Sequence, residues 1–171
     1  MLTIVTNYLG GSATFDISHK YRYRLTRSWS DTNTSQVTFI MLNPSQANAE
    51  QDDPTIRACS QFAQSWGYTH LSVVNLFAYR TSQPSNLKLE LDPIGPDNDR
   101  YLIAAAETAK QVILAWGNWG TLLNRAQTIA QLLTPHRHKL YCLKHNRSGQ
   151  PRHPLYIRRN TTPILWTKHD M

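Results

Sequence analysis

Three polar side chains stand where apolar runs would not need them: Asn43, Asn75 and His153. Asn43 follows the run QVTFIML, Asn75 lies within HLSVVNLF, and His153 sits in RHPLY. A side-chain amide carries an acceptor and a donor side by side, the complement of a nucleobase edge. An imidazole supplies a donor that can stabilise charge developing on an oxygen. Pro154 holds His153 in extended backbone and so aims its ring. Each residue also has a structural competitor. An Asn can cap a helix or close a turn, and a His in a basic loop can simply face solvent or contact phosphate.

The elements that would position these groups follow from periodicity. Tyr21, Tyr23 and Leu25 alternate with Arg22 and Arg24, the period of a half-buried hairpin or edge strand within Ala13–Trp29. Asp31–Ser35 is a polar turn. Gln36–Leu42, His70–Phe77, Gln111–Trp116 and Lys139–Leu143 are near-continuous apolar runs, as expected of strands covered on both faces. Between them, Asp53-Pro54-Thr55 starts a helix that Gly67 ends, with Ile56, Cys59, Phe62, Ala63 and Trp66 on one face. Further helices are expected from Asp97 through Ala109 and over Thr121–Leu133, and Thr81–Pro96 is a long, proline-punctuated loop. Strands alternating with helices imply an α/β protein with a parallel sheet, and the length implies one domain over residues 1–171. Two consecutive buried strands each deliver an Asn at or near a carboxyl end, where open α/β folds bind their ligands.

Lys and Arg number 18 against 11 Asp and Glu, a net charge of +7 that favours phosphate-rich partners. The cations concentrate in 19-HKYRYRLTRSW-29 and in the segment from His136 to Arg159, where aromatic residues alternate with them. Cations neutralise phosphate and aromatic faces stack on bases, so the mixture points to nucleic acid. The competing reading is an edge strand with Lys and Arg facing water and Tyr facing the core. Cys59 and Cys142 stand far apart without a CxxC, so neither a disulfide framework, a metal site nor a cofactor is argued. A reducing, cytoplasmic setting is expected, with no membrane span, no secretory leader and no obligate protein partner.

Taken in order, MLNPS (41–45), SVVNL (72–76), ILAWG (113–117) and RHPLY (152–156) resemble the motifs of the uracil-DNA glycosylase superfamily: a strand ending in an Asn-Pro or Asp-Pro turn, a strand bearing an Asn, an apolar strand ending in Trp-Gly, and a loop opening His-Pro. Across nearly its whole length the chain is more closely similar to a bacterial family known as DUF1643, a domain of unknown function, through LNPS, DDPT, VNLFAYR and GQPRHPLY. The glycosylase resemblance implies a three-layer αβα sandwich around a central, mainly parallel four-stranded sheet, with the N-terminal hairpin or edge strand added. It implies hydrolysis of the N-glycosidic bond of a flipped pyrimidine, in DNA more than in RNA. Asn43 would position the hydrolytic water, Asn75 would read the pyrimidine edge, and His153 would stabilise charge on the base O2. Ser45, Phe77 and Trp116 join Asn75 in binding the base. Arg147, Arg152, Leu155, Tyr156, Arg158 and Arg159 would contact nucleic acid, with Leu155 or Tyr156 as the wedge that replaces the flipped base.

The departures sharpen the expectation. An Asn at 43 cannot act as a general base, so a loose, oxocarbenium-like transition state and a slow enzyme are implied. Ser45 stands where the superfamily's classical motif carries a bulky Tyr that shields against a 5-methyl group, so larger groups at C5 should fit. Leu155-Tyr156 replaces the Ser-Pro that follows His-Pro, which keeps RNA or a free nucleotide open as substrate. Two rivals stand beside this reading: a non-catalytic nucleic-acid or nucleotide binder, and a nucleotide-processing enzyme holding magnesium through Glu50, Asp52 and Asp53.

Overall fold

In the computed structural model, which describes residues 2–8, 10–31 and 34–167, one eight-stranded sheet organises the chain. Its strands are β1 (Thr3–Tyr8), β2 (Gly11–Asp16), β3 (Arg22–Ser28), β4 (Gln36–Met41), β5 (His70–Asn75), β6 (Gln111–Leu114), β7 (Leu140–Cys142) and β8 (Ile164–Leu165). The α-helices among the described residues are α1 (Pro54–Ser65), α2 (Asn98–Thr108) and α3 (Arg125–Leu132). The strands lie in the order β1-β2-β3-β5-β4-β6-β7-β8. The expected polar turn over Asp31–Ser35 lies partly outside the described residues.

This sheet corrects the expected architecture. It is not a central, mainly parallel four-stranded sheet within an αβα sandwich. β1, β2, β3 and β5 pair antiparallel in sequence, as do β7 and β8, and only β4 with β5, β4 with β6, and β6 with β7 run parallel. The sheet is therefore mixed, with antiparallel pairings the more numerous. What misled the reading is that the added strands carry little apolar signal. β1 is half-buried or exposed throughout, and both residues of β8 are exposed. Backbone hydrogen bonding, which any residue type can supply, builds those strands.

The apolar runs at the centre divide by period two. Val37, Phe39, Leu71, Val73 and Ile113 face Ile56, Cys59, Phe62 and Ala63 of α1. Ile40, Val74 and Leu114 face Leu102, Ala105 and Ala106 of α2 and Ile129 of α3. Both faces of these strands are buried, which is why their sequence reads as continuous hydrophobicity. Asp53 caps α1 by accepting from the Ile56 N–H at 2.9 Å, with Pro54 in the first turn. Gly67, at φ +79°, takes the left-handed turn that follows it.

The helix expected over Thr121–Leu133 begins later. Leu123 and Asn124 adopt left-handed backbone, with φ of 52° and 56°, so α3 starts only at Arg125 and Leu123 is left exposed. The long loop contains one 3₁₀ segment, Pro84–Lys88. No helix among the described residues is long and apolar enough to cross a membrane.

Candidate functional site

β4 and β5 run parallel and end together, with Met41 opposite Asn75. β6 lies on the far side of β4 in the same direction, so three loops leave the sheet at one edge. A cleft of about 340 Å³ opens there, a size suited to a small planar ligand. Asn43, Ser45, Asn75, Trp116, His153, Leu155 and Tyr156 all line it.

Asn43 follows β4. Its Nδ2 donates to the Thr81 carbonyl at 2.7 Å and to its neighbour Pro44 at 3.0 Å, which leaves Oδ1 as the atom free to accept. Thr81 N–H in turn donates to Pro44, so the loop after β5 clasps the Asn-Pro turn. Asn75 is only 1% exposed, and neither Oδ1 nor Nδ2 of its amide has a hydrogen-bond partner. An amide deprived of water in this way costs stability unless something supplies the missing bonds.

His153 is brought to the cleft by its own loop. After β7 the chain turns back on itself, with His145 bridged to Pro151, and the Gly117 N–H donates to the Pro151 carbonyl at 2.8 Å. The short turn Pro154–Tyr156 is clasped to α1 by Arg159. That guanidinium lies 5.1 Å from the Phe62 ring centre, donates to Gln61 Oε1 at 2.9 Å, and reaches the carbonyls of Pro154 and Ile157. The Leu155 N–H donates to His153 Nδ1 at 3.3 Å, so the ring proton resides on Nε2. Burial pulls the imidazole below its ordinary pKa, opposed by the charge of Asp53, and the neutral form with an Nε2–H donor prevails at pH 7.

Trp116 lies two residues beyond β6, buried, its indole N–H donating to Gln150 Oε1 at 2.8 Å. Gly120 keeps room for it: a Cβ there would lie 2.1 Å from the Trp116 ring. Trp119 is not at the cleft and packs under Lys88 instead. Phe77 is fully buried in the core shared with α2 and does not reach the cleft. Tyr156 is 75% exposed at the rim, with its ring centre 6.1 Å from that of His153. Arg147 and Arg158 are exposed, Arg152 is half-buried, and none of the three lines the cleft.

Two charged side chains that the glycosylase resemblance did not call for line the cleft as well. Asp53, read from the sequence as a helix start and, in the rival reading, as a magnesium ligand, is the one carboxylate lining the cleft among the described residues. Arg22, which alternation put on a water-facing strand surface, is 2% exposed and also lines it. Nothing in a YRYR pattern says which side of a strand reaches solvent, so the sequence carried no signal for Arg22. For Asp53 the signal was DDPT itself, which serves a cap and a cleft at once. Asp52 next to it pairs with Arg27 at 2.7 Å, so two of the three acidic residues assigned to magnesium have other partners.

A second, shallower concavity shares Ser45, Thr81 and Ser82 with the cleft and is walled by His19, Lys20 and Arg80. Lys20 pairs there with Glu90 at 2.8 Å. Cys59 and Cys142 are buried and not disulfide-bonded, and burial pushes the Cys59 thiol up, away from the reactive thiolate.

A family model described as "Protein of unknown function (DUF1643)" matches residues 22–155. The chain belongs to that family. The matched span runs from Arg22 to Leu155, so it contains every lining residue of the cleft except Tyr156. No curated protein and no solved structure matches the chain.

Proposed function

We propose that the protein is a nucleic-acid base glycosylase, acting on DNA in preference to RNA, that hydrolyses the N-glycosidic bond of a flipped pyrimidine with room for a substituent at C5. One observation carries the reading: a buried Asn75 amide with both polar atoms unpaired, in the same cleft as a neutral His153 whose Nε2–H is free to donate. A pyrimidine edge would satisfy both amide atoms at once. The ordered resemblance of MLNPS, SVVNL, ILAWG and RHPLY to uracil-DNA glycosylase motifs supports it. It is a likeness of sequence motifs and does not extend to the sheet.

The chemistry runs as follows. The C1′–N1 bond breaks with its electron pair moving onto the base, where charge collects on O2 and meets the His153 Nε2–H. The sugar becomes oxocarbenium-like, and the Asp53 carboxylate lies in the cleft to oppose its positive charge. Water accepted at Asn43 Oδ1 adds to C1′ and passes its proton to Asp53, since an amide cannot take it. The base anion then collects a proton from solvent, leaving a free base and an abasic sugar. Exposed Tyr156 at the rim is the wedge for the vacated stack. Phosphates would be met by Arg147 and Arg158 and by the shelf of Lys20 and Arg80. The same reading sets the protein in a bacterial cytoplasm, where the thiols of Cys59 and Cys142 stay reduced.

The test is incubation with oligonucleotides carrying uracil, mismatched thymine or 5-substituted pyrimidines, then alkaline cleavage and mass spectrometry of released base. Release that disappears in Asp53→Asn and His153→Ala supports the proposal. Tight binding with no release from DNA or RNA overturns it in favour of a reader of bases.

A further inference from the structure

Arg22 presents a problem in electrostatics that the glycosylase reading leaves unused. It is 2% exposed, and its guanidinium makes a single side-chain hydrogen bond, from Nη1 to the Ala47 carbonyl at 2.6 Å. Its Nε is buried without a partner, and no carboxylate among the described residues forms an ion pair with it. Burial brings it down to about 10, so it stays protonated at neutral pH. The opposing charge acting on it is that of Asp53, whose Oδ1 is already engaged with Ile56 in capping α1, while Arg80 and Arg27 add positive charge. The first turn of α1 also faces the cleft through Thr55 and Ile56, and the start of a helix favours negative charge. A buried, uncompensated guanidinium beside a cleft is costly unless an anion completes it.

Two placements say which part of a ligand that anion belongs to. Arg22 bonds Ala47, two residues beyond Ser45, on the wall where the small side chain leaves room at C5. It is also fully interior, whereas the phosphates of a flipped nucleotide stay with the backbone at the mouth of a base pocket. We infer that the cleft takes an acidic pyrimidine, one bearing a carboxylate at C5, with Asn75 reading the ring edge and Arg22 binding the carboxylate through its free N–H groups. The inference rests on the base-pocket reading for the ring, and on Arg22 alone for the acid group. A carboxylate is ionised at pH 7, and the planar guanidinium matches its two oxygens. Neutral C5 substituents leave Arg22 without its counter-charge and bind more weakly.

The experiment is calorimetric titration of the full chain at pH 7 with uracil, 5-carboxyuracil and uridine 5′-monophosphate, in wild type, Arg22→Met, Arg22→Lys and Asn75→Ala, with folding of each variant checked by circular dichroism. Wild type should prefer 5-carboxyuracil over uracil by roughly 10- to 100-fold, the worth of hydrogen bonds to a charged group. Arg22→Met should bring the two ligands to parity while uracil still binds, and Arg22→Lys should keep part of the preference. Asn75→Ala should weaken both. Because the readout is a ratio within one variant, partial loss of folded protein does not imitate it. Equal affinity for the two bases in wild type, or a preference that survives Arg22→Met, overturns the inference and leaves the pyrimidine reading standing. Tighter, Arg22-dependent binding of the monophosphate moves the anion to phosphate and overturns the C5 assignment. No uracil binding by wild type brings down the base-pocket reading itself.

Discussion

The end of β5 is flanked by two buried Arg and Asn sets that are treated in opposite ways. On the α2 and α3 side, Arg125 is 2% exposed, donates from Nε to the Leu76 carbonyl at 2.8 Å and ion-pairs with Asp99. Asn98 there is fully buried, and its Nδ2 donates to the carbonyls of Asn75 and Leu76 at 2.9 and 3.0 Å, though its Oδ1 has no partner. On the cleft side, Arg22 and Asn75 are as deeply buried, yet the amide has no partner and the guanidinium has only Ala47. The same residue types therefore do two jobs. Arg125 and Asn98 satisfy strand-end carbonyls and hold α2 and α3 to the sheet. Arg22 and Asn75 keep most of their donors and an acceptor unspent at the wall of the cleft, where a ligand can meet them.

That contrast breaks most visibly in activity. His153→Ala should lower base release by roughly a hundredfold or more, the usual cost of removing an electrostatic donor, with little change in melting temperature. A stability loss as large as the rate loss would turn the cleft into mere core. Next in size, Arg125→Met should destabilise by about 2–3 kcal/mol in urea unfolding, since it removes bonds of a charged donor and leaves the Leu76 carbonyl short. Arg22→Met should stay within about 1 kcal/mol of wild type or gain stability, because it removes a buried charge that lacks an ion-pair partner. Equal losses at the two arginines would erase the distinction. A smaller comparison uses the asparagines. Asn98→Ala should cost about 1–3 kcal/mol through orphaned carbonyls, whereas Asn75→Ala should change stability little and weaken uracil binding measured by calorimetry.

The smallest effect concerns pH. Burial holds His153 below its ordinary imidazole pKa in the folded chain, so protonation favours the unfolded state. Its contribution is complete above the unfolded value, about 6.5, and is lost as pH falls through that value towards the lower folded one. Thermal melts of wild type from pH 7.5 to 5 should therefore show an extra decline below 6.5 that His153→Gln removes. Base release should fall only at still lower pH, as the ring of the folded chain gains a proton on Nδ1 and gives up the Leu155 bond.

Much of this site was readable before any fold was known. Asn43 and Asn75 were conspicuous because a polar residue at the end of an apolar run is out of place unless it is used, and His153 because Pro154 fixes its backbone. Asp53 was readable as a helix start and as a candidate magnesium ligand but not as part of a base cleft, since a cap fully accounts for a DDPT sequence. Arg22 was not readable, because alternation assigns faces to a strand but not what lies beyond each face. The fold divided along the same line. The central strands and α1 announced themselves through apolar runs and the capping signal at Asp53-Pro54. β1 and β8 did not, and leaving them out turned a mixed eight-stranded sheet into the parallel four-stranded one that the structure corrects.

By itself, then, the sequence determined which segments must be buried and where helices can begin, because burial and capping are properties of local side-chain types. It also determined that acceptors and donors would be delivered to the ends of β4 and β5. Only the tertiary structure decided that those ends lie beside the His153 turn, that antiparallel strands extend the sheet on both sides, and that Arg22 turns inward. The physical reason is that strand pairing is made by backbone groups every residue shares, and that whether a buried polar group is satisfied depends on what the rest of the chain brings within hydrogen-bond reach.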